Sequence, residues 1–298
     1  MASPRTPRPL DHLVLPVEDL ETARARHMSL GFTIAAEALH PFGTENACVF
    51  FADGTYLEPL AIAQREDCEE AARQGNVFVA RDQAYRFRRS DTGFSAVVVG
   101  SRDATADHAR FVRLGMSGGA MLEFSRPMTL PDGSEQTASF RLAFASDLRS
   151  PDFFGFAVER LNVPMSDRTA LTTHANGVTG IAEIVLSEPN PTDFQYFIQE
   201  LASNREVEAN SFGMSVKLDG AVITVYNKAG METHLGVDTG EWRERGLLGR
   251  AVVYKVADLQ ALSALLLKNQ VPVRQVAGKL VVDPAPGQGA YYCFEEIR

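Results

Sequence analysis

In Asp11-His12-Leu13-Val14-Leu15-Pro16-Val17-Glu18-Asp19-Leu20, an apolar β-rich run gives way to an aspartate that can start a helix. The spacing predicts a strand over 11–17 and a helix near 19–30, where Ala23, Ala25 and Met28 alternate with charged residues. Leu30-Gly31-Phe32-Thr33-Ile34 then places a glycine stop before a new strand. Hairpin strands follow near 46–51 and 55–62 around Asp53-Gly54. This plan, βαβββ, recurs three more times.

The second unit opens with Phe94-Ser95-Ala96-Val97-Val98-Val99 and continues through a helix near 103–114. Its glycine stop is Leu114-Gly115-Met116, and its later strands lie near 121–126, 136–146 and 153–159, with turn chemistry at Pro131-Asp132-Gly133-Ser134. A third unit begins at Ile181-Ala182-Glu183-Ile184-Val185-Leu186, with a helix near 191–202 and strands near 213–218 and 221–227 around Asp219-Gly220. The fourth runs from Ala251-Val252-Val253-Tyr254 through a helix over 258–269 to Leu280-Val281-Val282 and Ala290-Tyr291-Tyr292-Cys293-Phe294. Residues 161–178 and 230–248 read as connectors, the first as the domain boundary. The expected fold is α+β, four βαβββ modules paired into two domains over 10–162 and 178–298.

Composition narrows the function. A net charge of −9 and a pI near 5.2 argue against nucleic-acid and anionic-membrane partners, which reward clustered Lys and Arg. Cys48, Cys68 and Cys293 are odd in number and at unrelated spacings, which points to neither a disulfide framework nor a cysteine-rich zinc site and fits a reducing cytoplasm. Residues 1–9 read as a short disordered lead, and no apolar run reaches membrane-spanning length. There is no Gly-rich phosphate loop, nucleophile elbow or zincin histidine pair, so neither a nucleotide cofactor nor serine hydrolysis is expected.

Two polar residues interrupt apolar strands of the first unit: His12, and Glu58 in Thr55-Tyr56-Leu57-Glu58-Pro59-Leu60. A lone carboxylate in such a strand needs a cation or hydrogen-bond donors to be buried. A histidine there is either a hydrogen-bonded core residue or a ligand. His40, Thr44 and Asn46 form a polar loop before a strand, suited either to substrate hydrogen bonds or to turning the chain. Arg126 and Arg141 lie on strands of the second unit, where an inward guanidinium would bind a substrate carboxylate and an outward one would be solvated. His27, His108 and His234 have no comparable context and read as surface residues.

With His12-Leu13-Val14-Leu15, Asp19-Leu20, Leu30-Gly31-Phe32, His40-Pro41-Phe42-Gly43-Thr44-Glu45-Asn46 and Gly54-Thr55-Tyr56-Leu57-Glu58, the chain resembles the vicinal-oxygen-chelate superfamily and, within it, glyoxalase-like proteins. The resemblance spans most of residues 10–296. It implies paired modules curled into cup-shaped half-barrels, with ligands on first and last strands chelating a divalent metal (Zn, Ni, Mn or Fe) against neighbouring substrate oxygens. His12 and Glu58 fall at such ligand positions, and Glu58 or Glu159 would move the proton. The segment His174-Ala175-Asn176-Gly177, a turn by composition, resembles one that related chains carry between halves and that reaches the first pocket.

The repeats do not complete the set. Seven residues before the helix starts at Asp19 and Asp103 stand His12 and Ala96, and the last strand of the second unit has Glu159 as its sole carboxylate, in uncertain register. In the C-terminal pair Glu183 falls at the His12 position, Tyr226 and Cys293 lie near the strand ends, and Glu295 could substitute if it faces the cup. That pair reads as the structural or oligomerising half, which leaves room for a homodimer. Neither the ligand set of glutathione-dependent glyoxalase I nor the two-histidine, one-carboxylate pattern of extradiol dioxygenases is recovered. Two readings stand: a metal-dependent lyase, isomerase or dioxygenase-like enzyme acting on a small oxygen-rich substrate, or a metal-free protein that sequesters a small molecule in the same cup.

Overall fold

The computed structural model describes residues 6–129, 134–164, 167–240 and 244–297. The first unit holds β1 (Leu10–Pro16), α1 (Leu20–Ser29), β2 (Ala38–Leu39), β3 (Thr44–Asn46), β4 (Val49–Phe50) and β5 (Tyr56–Ile62). Helices α2 (Arg65–Arg73) and α3 (Val77–Arg88) follow, and then β6 (Ala96–Gly100), α4 (Ala104–Arg113), β7 (Leu122–Thr129), β8 (Glu135–Ala145) and β9 (Phe154–Asn162). The third unit has β10 (Val178–Ser187), α5 (Gln195–Ala202), β11 (Glu208–Asn210), β12 (Gly213–Lys217) and β13 (Val222–Tyr226), followed by α6 (Lys228–Leu235). The fourth has β14 (Leu248–Val256), α7 (Leu259–Lys268), β15 (Arg274–Val276), β16 (Lys279–Val282) and β17 (Tyr291–Glu296).

The aspartates begin the helices by the mechanism expected of them. Asp19 accepts from the Thr22 N–H at 2.7 Å, Asp103 from the Ala106 N–H at 2.9 Å and Asp258 from the Ala261 N–H at 2.8 Å, so each satisfies a donor that the first helical turn leaves open. The third unit instead enters α5 through a 3-10 turn at Pro191–Phe194.

Two sheets result. In the first the strand order is β2-β3-β5-β1-β6-β9-β8-β7, with β4 on β5; in the second it is β11-β12-β13-β10-β14-β17-β16-β15. In each, two modules join through a central antiparallel pair, β1 with β6 and β10 with β14, and each central strand takes its own module's last strand in parallel. The first sheet curls until its far ends meet, because Phe124 of β7 packs on Phe42, beside β3, with ring centroids 5.3 Å apart.

Strand alternation sends the two faces of each sheet to different cores. Leu13, Leu15, Val97 and Val99 join Ile184, Leu186, Val252 and Tyr254 of the second sheet, with Phe111, Ile198, Leu201, Leu262 and Leu266 from helices between the sheets, in one continuous cluster. At roughly 1.5–3 kcal/mol for each large apolar side chain fully buried, this shared layer dominates the cohesion between the two sheets. The opposite face of the first sheet, with Val14, Val98, Phe154 and Phe156, builds a separate cluster to which α2 and α3 add Cys68, Phe78 and Val79. No helix among the described residues is long and apolar enough to cross a membrane.

Several sequence expectations are corrected. Residues 32–37 make no strand after the Gly31 stop. The proposed connector 230–248 contains most of α6, whose Met231 and Leu235 fill the second cup against Val185, Val253 and Cys293. Arg8, in the expected disordered lead, donates its N–H to the Ala202 carbonyl at 2.9 Å and its guanidinium to Asp107 at 2.6 Å. Pro131, Asp132 and Gly133 of the expected turn lie outside the described residues. His27 is not a surface residue: it is fully buried, with Nδ1 2.8 Å from the Ala23 carbonyl and Nε2 2.9 Å from the Tyr292 hydroxyl of β17. Sequence alone could not place it, because its partner strand belongs to the other sheet.

Burial lowers the His27 pKa from 6.5 to about 4. The unfolded chain therefore takes this proton first on acidification. Its stabilising effect is complete above pH 6.5 and is lost as pH falls toward 4, at a slope of about 1.4 kcal/mol per pH unit. Urea unfolding of wild type and His27→Gln across this range is expected to show a shallower loss in the variant; equal slopes would refute the assignment. The turn leading into β3 gives a second test. Gly43 has φ +89°, and a Cβ there would lie 2.5 Å from the Gln64 carbonyl oxygen, which takes up the space beside this turn. Gly43→Ala is expected to lower stability by about 1–3 kcal/mol in the same assay.

Candidate functional site

The cup of the first sheet holds the cavity around which the predicted polar residues gather. Its walls include Phe42, Phe50, Tyr56, Phe78, Phe124, Phe140 and Phe156, and its polar groups include His12, His40, Asn46, Glu58, Arg126, Arg160 and Arg168. Register explains the gathering. His12 pairs with Tyr56 and Val14 with Glu58, so in this parallel ladder all four side chains share the inner face.

His12 and Glu58 are both buried, with Nε2 of the imidazole 3.3 Å from Oε2 of the carboxylate. Glu58 Oε1 accepts from the Asn46 amide at 2.6 Å, and His40 Nε2 stands 3.7 Å from the same oxygen. His40 Nδ1 in turn lies 2.9 Å from Thr44 Oγ1. The imidazole of His12 stacks on Tyr56 at 4.3 Å between ring centroids, with Phe156 edge-on at 5.7 Å. His12, His40, Thr44, Asn46 and Glu58 therefore form one connected polar cluster inside an aromatic wall.

Asp11 belongs to this cluster although strand alternation would point it away. Leu10 and His12 pair with the adjacent residues Val99 and Val98, so β1 carries one extra residue in a bulge at Asp11. Its carboxylate then reaches His12, whose Nδ1 donates to Oδ1 at 2.7 Å, and Arg160, whose Nη2 donates to Oδ1 at 2.9 Å. The Asp11-His12 dipeptide was visible in the sequence; the bulge had no sequence signature. Arg160 and Arg168 were missed for a related reason, since one lies at the exposed end of β9 and the other in a connector.

The electrostatics follow from this arrangement. Burial pulls the His12 pKa down, but hydrogen bonds and charge from Asp11 and Glu58 outweigh it and raise the pKa above 6.5. Burial raises the Glu58 pKa, and His12, His40 and Asn46 together bring it below the usual carboxylate value. Asp11 likewise overcomes burial through His12 and Arg160 and is lowered to about 2. His40 goes the other way: burial lowers it to about 4 despite Glu58, aided by Arg126 and His12. The site thus sets the His12 imidazole between two carboxylates that favour its protonated form, beside a His40 imidazole whose burial favours the neutral form.

The other expected site residues lie elsewhere, except Arg126. In the β6–β9 ladder Ala96 pairs with Phe154 and Val98 with Phe156, so Phe156 occupies the position that Glu58 holds in the first unit. Glu159 falls on the opposite face, where its carboxylate accepts from the Ala104 N–H at 2.9 Å and lies 3.5 Å from Arg141. Arg141 points the same way and donates to Glu123 at 2.9 Å. His174 sits between the sheets rather than in the cup, accepting from the Thr33 N–H at 3.0 Å and donating to the Phe50 carbonyl at 2.9 Å. In the second sheet Glu183 lies 3.4 Å from the Tyr226 hydroxyl, beside the packed α6.

A resident divalent metal is poorly matched by these residues. With Ala96 and Phe156 in place of His12 and Glu58, the second unit offers no metal donor at the corresponding strand positions. Among the described residues no three His, Cys, Asp or Glu side chains are grouped to hold an ion.

Comparisons with known proteins agree with the architecture. The family described as a glyoxalase-like domain matches residues 10–202. No functionally curated protein matches the sequence. Among solved structures, a hypothetical protein from Staphylococcus aureus superposes with a TM-score of 0.66 at 12% identity, covering 97% of this chain and 99% of that one. A mutant 4-hydroxymandelate synthase from Streptomyces coelicolor gives 0.61 at 14% identity, over 98% and 93%. The Mn(II)-bound glyoxalase from Novosphingobium aromaticivorans gives 0.51 at 11% identity, over 98% and 83%. At these identities the structures speak for the fold alone, whereas the family match spans well over half of the chain: this protein belongs to the glyoxalase-like domain family, with the paired-module fold of the vicinal-oxygen-chelate superfamily.

Proposed function

We propose that the first domain, residues 10–162, is the functional one, and that its cup binds a small aromatic or amphipathic molecule without a resident metal. The observation that carries this reading is that Ala96 and Phe156 stand in the second unit where His12 and Glu58 stand in the first. That substitution replaces two donors by apolar surface. It leaves a one-ended polar cluster against aromatic walls, the composition of a small-molecule pocket.

In this reading His12 and Glu58 form the polar end of the pocket. An imidazolium bonded to Glu58 can donate a proton or hydrogen bond to a ligand oxygen, and the carboxylate can take a proton in exchange. Asn46 and Asp11 act through their partners, fixing the carboxylate and the imidazole. The second domain, residues 178–298, serves as a structural half, because α6 fills the cup that corresponds to the pocket. The metal-dependent lyase or isomerase expected from the sequence needs a donor set that these residues do not supply.

Metal analysis of protein purified without chelator is expected to find no stoichiometric divalent ion, before or after exposure to Zn, Ni, Mn or Fe. A stoichiometric ion lost in both His12→Ala and Glu58→Ala would overturn the proposal. Calorimetric titration with the neutral aromatic probe cinnamamide should show binding that falls at least about tenfold in Met128→Trp, which fills the cavity from a half-buried wall position. Finally, Asp11→Asn is expected to lower the His12 pKa, read from the imidazole resonances by NMR titration. An unchanged titration would show that Asp11 does not hold the imidazolium.

A further inference from the structure

The charges of the cup do not balance. Its two buried carboxylates each have a partner, Asp11 the Arg160 guanidinium and Glu58 the His12 imidazole. Arg126 and Arg168, which also line the cavity, have no carboxylate partner among the described residues. Arg126 enters from β7 on the inward side, in register with Ala138, a buried cavity residue of β8. Arg168 approaches from the connector after β9, its guanidinium carbon 4.7 Å from the Phe50 ring centroid. Both line the same cavity as Cys48 and Phe50. Two half-buried guanidiniums without a carboxylate partner among the described residues thus line one aromatic hollow, in a chain whose net charge is −9.

We infer that the ligand of this cup is an aromatic or other planar apolar anion, its acid group held between Arg126 and Arg168 and its body lying among the phenylalanines. The inference rests on the proposed binding role of the cup and names the ligand class. A planar guanidinium with free N–H donors matches a carboxylate in two-pronged geometry, and a partly desolvated site strengthens that match. The Phe50 ring, 4.7 Å from its guanidinium carbon, helps to hold Arg168 at the cavity. A cationic ligand would meet uncompensated repulsion from both arginines.

Titration calorimetry of the full chain with cinnamate and its neutral isostere cinnamamide tests this. Wild type should bind cinnamate at least about tenfold more tightly than cinnamamide. Arg126→Gln and Arg168→Gln should each reduce that preference several-fold, with an unchanged urea-unfolding midpoint reporting an intact fold. Equal affinity for the two compounds in wild type would overturn the anion assignment and leave the binding role of the cup standing. Cinnamate preference unchanged in both variants would overturn the assignment to these arginines. Failure of both compounds to bind wild type would overturn the binding role as well.

Discussion

The antiparallel joint between β1 and β6 fixes where everything else in this molecule can go. Each strand alternates its side chains across the sheet, so one register decision sends Leu13, Leu15, Val97 and Val99 into the layer shared with the second sheet and His12, Val14, Ala96 and Val98 into the cup. A one-residue slip would exchange these sets, moving the polar imidazole of His12 into the apolar layer. The parallel neighbours β5 and β9 inherit the choice, which places Glu58 beside His12 and Phe156 beside Val98.

The cup accommodates its buried carboxylates because each has a partner of opposite sign or a set of donors. Asp11, His12 and Glu58 would each be costly to bury alone; in sequence they form a chain from the solvent-facing Arg160 to the Asn46 amide. The bulge at Asp11 makes this chain possible, since without it the carboxylate and the imidazole would face opposite sides of the sheet. The second cup shows the alternative solution. There α6 closes the hollow with Met231 and Leu235, and the one carboxylate at the corresponding strand position, Glu183, stands near a tyrosine hydroxyl instead of a cation.

Much of the fold was legible because local chemistry repeats. Asp19, Asp103 and Asp258 each precede an amphipathic run, and Gly31 and Gly115 end two of those helices with positive φ. Helices α2 and α3 fall outside the repeat, and α6 has a short, weakly patterned sequence whose apolar residues acquire meaning only against the second cup. In the site, His12, His40, Thr44, Asn46 and Glu58 stood out as polar residues beside or within apolar strands. Glu159 stood out for the same reason, and its parity in β9 turns it to the other face, where it caps α4.

The sequence by itself determined the βαβββ repeat, the two sheets and the asymmetry between a first unit with His12 and Glu58 and a second with Ala96, because helix caps, glycine stops and strand alternation are set by neighbours in the chain. Only the tertiary structure decided that Asp11 turns inward, that Phe156 rather than Glu159 faces the cavity, and that Arg126 and Arg168 look into one hollow. Those outcomes depend on register, a bulge and the closure of β7 over Phe42, which arise from pairing between strands far apart in sequence.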